Sequence, residues 1–401
     1  MHRPNCLLKC PCKGNEERKQ GPIRTKQKSF TASALKQKQK MKIQKYENTK
    51  IRQKGAGCPV EKQGRAMIKN IGIDLGTANT LLYVSGKGIA MFEPSVVALE
   101  KRTGNIVAVG ARAKRMLGKT PGSIVTFRPL KDGVIADFEI TVRMLHEFFV
   151  RIGATSFFNK PNVIVSIPYG VTEVEKLAVE NAAFEAGARN VCLVEEPIAA
   201  AIGAKLRVSG NRGCMIIDIG GGTTEVAVIS MDGIVASRSL RIAGDEMDNA
   251  IVQYMKTVHG ILIGEITAEQ LKNRIGSVHS SADRGSMRVY GRNLRDNSAT
   301  EVEVFSGEMR QAMRTPIEQI VAAIKGTLED TPPELAADIY EYGITVAGGG
   351  ALLGGIAEVI SARTGLKVTL AQRPLEAVCR GIARVIESDG RMENVIRYRS
   401  R

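Results

Sequence analysis

Two aspartates, Asp74 and Asp218, each lie two residues before a glycine that opens a short turn carrying hydroxyl side chains. Glycine-containing turns of this kind leave backbone N–H groups pointing into one concavity, with no Cβ to keep a polyphosphate at a distance. A carboxylate beside such a turn suits Mg²⁺, which prefers oxygen ligands and retains several waters. The residue types therefore indicate binding of a phosphate chain with its metal, although one such turn alone is also typical of an ordinary β-hairpin.

The elements that must position the two aspartates are predicted to be β-hairpins. Residues 71–84 read as a strand, a polar turn over 77–80 and a second strand, and residues 215–229 repeat this design. Superposing Asp74 on Asp218 aligns strand, acid, glycine, turn and second strand, which indicates an internal duplication. Two such hairpins facing each other would enclose the phosphates and metal of one nucleotide.

Two further motifs are candidates for the same site. Glu196 lies between a predicted strand and a predicted helix, where it could orient or deprotonate a water, although an acid there is more often a partner of the helix dipole. Gly348, Gly349 and Gly350 follow the strand-like residues 344–347. Flat backbone at these glycines could admit an adenine or a ribose, and a tight strand-to-helix turn is an equally good interpretation.

Length, composition and charge narrow the class of protein. The chain has 401 residues, 43% of them apolar and 24% charged, which is enough for a large core and two or more domains. The formal net charge is +16, but +14 of it falls in residues 1–66, so the remainder is nearly neutral and no nucleic-acid partner is expected. No apolar run reaches the length of a membrane span, and we expect a cytoplasmic protein.

Residues 1–66 are predicted to be a basic, disordered N-terminal extension because they are rich in Lys, Arg and Gln and have no sustained apolar period. A polybasic arm for anionic lipid or nucleic acid is one interpretation. A metal site at His2, Cys6, Cys10 and Cys12 is another, although the spacing is not that of a zinc module. A leader or a mis-assigned start before Met67 is favoured over both.

Seven segments, taken in order, closely resemble the MreB family of bacterial actins. The likeness extends from residue 67 to about residue 390 and is specific within the wider superfamily of actins, sugar kinases and heat-shock chaperone ATPases. The segments are residues 71–80, 132–137, 195–197, 218–225, 243–248, 331–335 and 348–353.

This resemblance implies an α/β fold of the actin-like ATPase type, with two ribonuclease-H-like halves that each carry a small inserted subdomain. The implied subdomains are IA at 67–97, 143–210 and 374–401, IB at 98–142, IIA at 211–244 and 312–373, and IIB at 245–311.

The resemblance also implies roles for individual residues. Asp74 and Asp218 resemble the acids around a hydrated Mg²⁺, and Glu196 and Thr223 resemble the catalytic pair that holds the hydrolytic water. The remaining nucleotide contacts are implied to be Gly76, Thr77, Ala78 and Asn79 in the first phosphate turn, Gly220, Gly221, Gly222 and Thr223 in the second, Gly348, Gly349 and Gly350 on the adenosine side, and Glu269 with Lys272 beside the ribose and adenine.

In function, the resemblance implies a slow ATPase with ATP and Mg²⁺ as ligands, whose hydrolysis is coupled to assembly. The expected partners are other copies of the chain in double, antiparallel filaments, the inner face of the cytoplasmic membrane, and membrane-bound proteins of cell-wall synthesis and rod shape. The apolar pair Phe157 and Phe158, in a predicted loop, matches the place where the family inserts a hydrophobic loop into the membrane. A loop anchor tucked into the core is the alternative.

Two other functions share the nucleotide hairpins. A chaperone-type ATPase is expected to carry a substrate domain after the core, for which this sequence offers no candidate. A small-molecule kinase needs an aspartate base in the cleft, for which Asp137 is a candidate. One structural expectation is separate from these: residues 279–304 are polar, Arg-rich and poorly periodic, so that segment is predicted to be partly irregular.

Overall fold

The computed structural model describes residues 70–154, 160–388 and 390–399. The predicted N-terminal extension and the pair Phe157 and Phe158 lie outside these residues. Among the helices that the structure describes, none combines the length and the apolar character needed to cross a membrane.

Nineteen strands occur in the described residues, and the two largest sheets contain eleven of them. The strands are β1 (Asn70–Leu75), β2 (Asn79–Val84), β3 (Gly88–Pro94), β4 (Val97–Glu100), β5 (Ile106–Val109), β6 (Ile124–Phe127), β7 (Leu130–Lys131), β8 (Val134–Ile135), β9 (Asn162–Ile167), β10 (Asn190–Glu195), β11 (Cys214–Ile219), β12 (Thr224–Ser230), β13 (Gly233–Leu240), β14 (Ile261–Leu262), β15 (Ser286–Asn293), β16 (Ala299–Phe305), β17 (Ile344–Ala347), β18 (Val368–Leu370) and β19 (Ile396–Arg399).

Eleven α-helices connect these strands within the described part of the chain. They are α1 (Ala111–Lys114), α2 (Phe138–Arg151), α3 (Glu173–Ala186), α4 (Glu196–Gly203), α5 (Gly244–Thr257), α6 (Glu265–Ile275), α7 (Ser306–Ala312), α8 (Arg314–Glu329), α9 (Pro333–Tyr342), α10 (Ile356–Thr364) and α11 (Ala377–Glu387).

The two large sheets repeat one topology. The first has the order β19-β10-β9-β1-β2-β3 and the second β18-β17-β11-β12-β13. In both, three consecutive strands pair antiparallel and the first of them pairs parallel with a later strand. The hairpin registers also agree, because Asp74 lies opposite Leu81 and Asp218 opposite Glu225, seven residues apart in each case. The duplication seen in the sequence is therefore a duplication of structure.

Helices α4 and α11 form a layer between the two large sheets. Ile198 and Ile382 are fully buried in a cluster that also includes residues of both sheets, among them Ile164 and Ile216. The two helices cross closely because Gly381 has no Cβ, and a Cβ there would collide with backbone atoms of α4. This layer fixes the hairpins of the two sheets relative to each other.

Sequence signals explain several boundaries of the helices. Thr172 caps α3, and its side chain and that of Glu175 form a capping box. Gly187 ends the same helix. Pro197 lies in the first turn of α4, where its missing N–H removes no helical hydrogen bond.

The smaller sheets lie in the inserted segments. Strands β5, β4 and β6 form one, β14, β15 and β16 another, and β7 with β8 a short hairpin. The prediction of partial irregularity over 279–304 is confirmed for residues 279–285 and 294–298, which lie outside the strands, whereas β15 and β16 pair over seven registered positions. The alternation expected of two strands is weak in the sequence because few positions, such as Val289 and Val304, are buried.

Candidate functional site

One cavity of about 630 Å³ is lined by all the residues to which the MreB resemblance gave a nucleotide, metal or catalytic role. The cavity lies where the two duplicated hairpins meet. The residues with a predicted role that line it are Asp74, Gly76, Thr77, Ala78, Asn79, Glu196, Asp218, Gly220, Gly221, Gly222, Thr223, Glu269, Lys272, Gly348, Gly349 and Gly350.

The turns of the two hairpins touch each other. A Cβ added to Gly221 would lie 2.5 Å from the Cβ of Ala78, and one added to Gly222 would lie 2.6 Å from Oγ1 of Thr77. Real Cβ atoms do not approach so closely, so only glycine allows this contact. The two sets of backbone N–H groups therefore border one space, as a ligand held by both turns requires.

Each turn is held by its own hydrogen bonds. In the first, Ser95 Oγ donates to the carbonyl oxygen of Gly76 at 2.7 Å, and Ser95 N donates to that of Ala78 at 3.0 Å. In the second, Gly220 N donates to the carbonyl oxygen of Thr223 at 2.9 Å. Because protein partners already satisfy these carbonyls, the turns keep a fixed shape before any ligand enters.

Both hairpin aspartates line the cavity, Asp218 buried and Asp74 half-buried. Burial raises the pKa of Asp74 to about 8, with a further contribution from the charge of Asp218, and burial raises the pKa of Asp218 to about 7. A nearby cation stabilises the charged form of carboxylates whose pKa is raised by burial. In the described residues, no group of three or more His, Cys, Asp or Glu side chains could hold a metal ion directly. The pair instead fits a Mg²⁺ ion bound through its own waters beside a phosphate chain.

Glu196 enters the cavity from the first turn of α4 and is 9% exposed. Burial, followed by the negative charges of Asp74, Glu225 and Asp218, raises its pKa well above the usual range. Thr223, in the second turn, lines the same cavity. A carboxyl group and a hydroxyl group facing a shared space can together hold a water molecule.

Glu225 is a further buried carboxylate, to which the sequence analysis gave no role. It lies opposite Asp218 in the β11–β12 register and is 2% exposed. Ser239 Oγ donates to its Oε1 at 2.6 Å, whereas its buried Oε2 has no partner among the described residues. The signal was present, since an acid in an otherwise apolar strand is rarely buried without a role.

The third glycine turn packs directly on the second hairpin. Gly348 has φ = 77°, and a Cβ there would collide with Oδ1 of Asp218. A Cβ on Gly350 would collide with the side chain of Ile219. The turn therefore needs glycine for its own fold, and its flat backbone also borders the cavity.

The predicted pair on α6 has protein partners on both sides. Lys272 Nζ donates to Oδ2 of Asp248 at 2.8 Å and to the carbonyl oxygen of Gly244 at 2.7 Å. Glu269 accepts a hydrogen bond from Nζ of Lys114 at 2.7 Å. Lys114, Arg128, Asp245 and Asp248 also line the cavity, although the sequence analysis gave them no role.

The short β7–β8 hairpin supplies another contact that was not predicted. Gly133, at φ = 75°, donates its N–H to Oγ1 of Thr77 at 3.0 Å. A Cβ on Gly133 would lie 2.9 Å from Cγ2 of Thr223. The Asp132-Gly133 dipeptide is a hairpin signal that could have located this turn. Asp137, the candidate kinase base, instead accepts from Ile140 N as the N-cap of α2 and does not line the cavity.

Comparison with known proteins places this fold and cavity in a family. The family model described as MreB/Mbl protein matches residues 68–394. The cell shape-determining protein MreB of Escherichia coli strain K12 is 48% identical over 332 residues, which cover 81% of this chain and 96% of the relative. The cell shape-determining protein Mbl of Bacillus subtilis strain 168 is 44% identical over 320 residues, covering 80% of this chain and 96% of the relative.

A solved structure extends the likeness to three dimensions. The crystal structure of MreB 5 of Spiroplasma citri bound to AMPPNP superposes with a TM-score of 0.78 at 39% identity, covering 80% of this chain and 97% of that one. Together these findings confirm the predicted fold class, an actin-like ATPase fold with two related halves around a central cavity.

Proposed function

Because the chain belongs to the MreB/Mbl protein family, we propose that it binds ATP with Mg²⁺, hydrolyses the ATP slowly and assembles into filaments. The observation that carries this proposal is the contact between the two acid-and-glycine turns at one cavity. Binding of AMPPNP, an adenine nucleotide, by the related MreB 5 supports it.

The chemistry follows from what each group in the cavity can do. The backbone N–H groups of residues 76–79 and 220–223 cradle the β- and γ-phosphates, and the turn 348–350 receives the adenosine. Glu196 and Thr223 hold a water in line with the γ-phosphate. Asp74 and Asp218 would hold a hydrated Mg²⁺ ion, which would supply positive charge that neutralises the phosphates. The same positive charge would offset the negative charge of the carboxylates around the cavity.

Ribose and adenine recognition is assigned to α6. Glu269 and Lys272, three residues apart on one face of that helix, line the cavity. In this assignment the Glu269 carboxylate accepts from the ribose hydroxyls, and Lys272 keeps α5 and α6 together through Asp248.

In this proposal ATP hydrolysis is coupled to filament assembly. Copies of the chain join head to tail, a heterologous contact that propagates instead of closing, and two strands pair antiparallel. Flattening of the two halves on assembly brings Glu196 into position, so that ATP acts as a timer for the filament. We propose that the bodies that move are the subdomains IA, IB, IIA and IIB, with the boundaries implied by the MreB resemblance.

Membrane attachment and cellular role complete the proposal. Phe157 and Phe158 insert into the inner face of the cytoplasmic membrane, many copies along a filament adding their weak binding. In this proposal the filament thereby organises peptidoglycan synthesis by membrane-bound enzymes and sets rod shape. The relatives from Escherichia coli and Bacillus subtilis are named cell shape-determining proteins, which supports a role in cell shape. The chain is then cytoplasmic and peripheral to the membrane.

Light scattering and negative-stain electron microscopy after addition of Mg²⁺-ATP test the function. Filaments that form with Mg²⁺-ATP and are lost with EDTA are the expected result. Nucleotide turnover that depends on an added peptide or sugar, without filaments, would instead favour a chaperone or a kinase. Asp137→Asn serves as a control, since a kinase base would be inactivated while the proposed ATPase would keep its turnover.

A further inference from the structure

Two ion pairs bridge the mouth of the cavity. Nζ of Lys114 lies 2.7 Å from Oε1 of Glu269, and Arg128 pairs with Glu265. Lys114, Arg128 and Glu269 all line the cavity. Each pair joins residues more than 130 positions apart in the sequence, so both pairs depend on the closed arrangement of the fold.

The pairs connect elements with separate cores. Lys114 ends α1 and Arg128 follows β6, so both basic residues belong to the region of the β5-β4-β6 sheet. Both acids lie on α6, four residues apart and therefore on one face of the helix. Ala268 and Leu271 anchor α6 in the core of the second half, whereas Val97 and Val109 anchor the small sheet in the core of the first.

A third acid belongs to the same group of charges. Asp245 lines the cavity at the start of α5, where burial raises its pKa and the positive charges of Arg128 and Lys272 oppose that rise. Lys114 and Arg128, on the side of the small sheet, thus face acids on α5 and α6, where the basic Lys272 is itself paired with Asp248. Arg128 Nε is buried and has no partner within the described residues.

We propose that Lys114–Glu269 and Arg128–Glu265 form a cross-cleft clamp that holds the cavity mouth closed and sets the rate of nucleotide exchange. This inference rests on the proposed function, because it takes the cavity to hold ATP or ADP. Glu269 then has two exchangeable partners, the Lys114 ammonium and the ribose hydroxyls. Arg128 and Glu265 are assigned no contact with the nucleotide. Lys114 and Arg128 are positioning residues that act on exchange through closure.

The strength of the clamp is suited to a reversible closure. The side chains of Lys114 and Glu269 are 28% and 27% exposed, and those of Arg128 and Glu265 are 23% and 49% exposed. Partly exposed pairs contribute little each, so removal of one should speed opening by roughly two- to five-fold. Charge reversal adds repulsion between like charges and should have a larger effect in the same direction.

The test uses the pair that does not contact the proposed nucleotide. Arg128→Glu, Glu265→Arg and the double exchange are prepared in the full chain and loaded with a fluorescent ATP analogue and Mg²⁺. Dissociation is followed by stopped flow after a chase with unlabelled ATP. The matched control is the same set of reversals at Arg314 and Glu318, an exposed pair within α8 that does not line the cavity.

The expected result is faster dissociation for each single reversal, recovery towards the wild-type rate in the double exchange, and no change in the α8 controls. High salt should speed dissociation from the wild type more than from Arg128→Glu, because screening weakens an attraction in the first and a repulsion in the second. Single reversals with the wild-type rate, or a double exchange without recovery, would overturn the clamp while leaving nucleotide binding intact. A wild-type chain that binds no analogue would overturn both proposals.

Discussion

The catalytic role proposed for Glu196 can be separated from nucleotide binding by a single substitution. Burial and the negative charges of Asp74, Glu225 and Asp218 raise the pKa of Glu196. Glu196→Gln keeps the shape of the side chain but replaces one acceptor oxygen with a donor NH₂ group, so it cannot hold a water as a carboxylate does.

For Glu196→Gln we expect unchanged nucleotide binding and filament formation, with phosphate release reduced by about 10²-fold or more. A coupled assay for released phosphate measures the change. The neighbouring Glu195→Gln is the control, because Glu195 does not line the cavity. Equal rates for Glu196→Gln and wild type would remove Glu196 from the reaction.

Glu225 gives a pH dependence with a defined sign. Burial raises its pKa from 4.5 to about 8, so the folded chain holds this proton more tightly than the unfolded chain does. Its contribution to stability is therefore present below pH 4.5 and is lost as the pH rises towards 8. Glu225→Gln cannot ionise and escapes that loss.

We accordingly expect Glu225→Gln to melt at a higher temperature than the wild type at about pH 9, with the advantage shrinking towards about pH 5. Thermal unfolding of the nucleotide-free chain across this range measures it. Glu358→Gln, at an exposed position of α10, should show no such trend. An advantage that is constant with pH would contradict the assignment.

Among the elements, the hairpins and α3 could be predicted because their determinants are local. The alternation of residues 71–84, the glycines after Asp218 and the capping box at Thr172 each act within a few residues. The MreB resemblance implied that Glu269 and Lys272 lie beside the ribose and adenine, and both residues line the same cavity.

What the sequence did not predict depends on distant partners. Lys114 and Glu269 are 155 residues apart in the sequence, and only the tertiary fold brings them into contact. The sequence predicts Glu225 only as a residue of a strand, because one sequence does not show which residues lie beside it on the adjacent strands. The β15–β16 hairpin was missed because it buries few side chains and therefore shows a weak period.

The β7–β8 hairpin provides a prediction for one element. A methyl group at Gly133 would crowd Thr223 and Pro168, so Gly133→Ala should displace the Thr223 hydroxyl and slow phosphate release by roughly ten-fold or more. Gly170→Ala is the matched control, because Gly170 also has a positive φ but nothing lies near its added Cβ. Gly170→Ala should lose about 1 kcal/mol of stability from the left-handed conformation, and Gly133→Ala should lose more because its methyl group also collides with its neighbours. If both release phosphate equally fast, the hairpin does not position Thr223.

For the whole molecule, the membrane proposal depends on repetition along a filament. Two aromatic rings supply only a few kcal/mol of burial, which many linked copies turn into stable attachment. Phe157→Ser/Phe158→Ser should therefore abolish sedimentation with anionic liposomes while leaving filaments in solution.

The controls separate the loop from other surfaces. Tyr290→Ser/Phe305→Ser removes two exposed aromatic side chains elsewhere and should still sediment with the liposomes. A chain that begins at Met67 reports the contribution of the basic extension. Equal sedimentation of the loop variant, the Met67 chain and the wild type would show that neither the loop nor the extension attaches the filament.

The account of the whole molecule depends on one geometrical claim, that both halves of the duplication hold the same triphosphate. Determination of the structure with Mg²⁺ and AMPPNP tests it directly. The account predicts β- and γ-phosphate oxygens within hydrogen-bonding distance of N–H groups from both residues 76–79 and residues 220–223, with Asp74 and Asp218 facing the waters of one Mg²⁺ ion. A nucleotide bound elsewhere, or held by one turn alone, would contradict it.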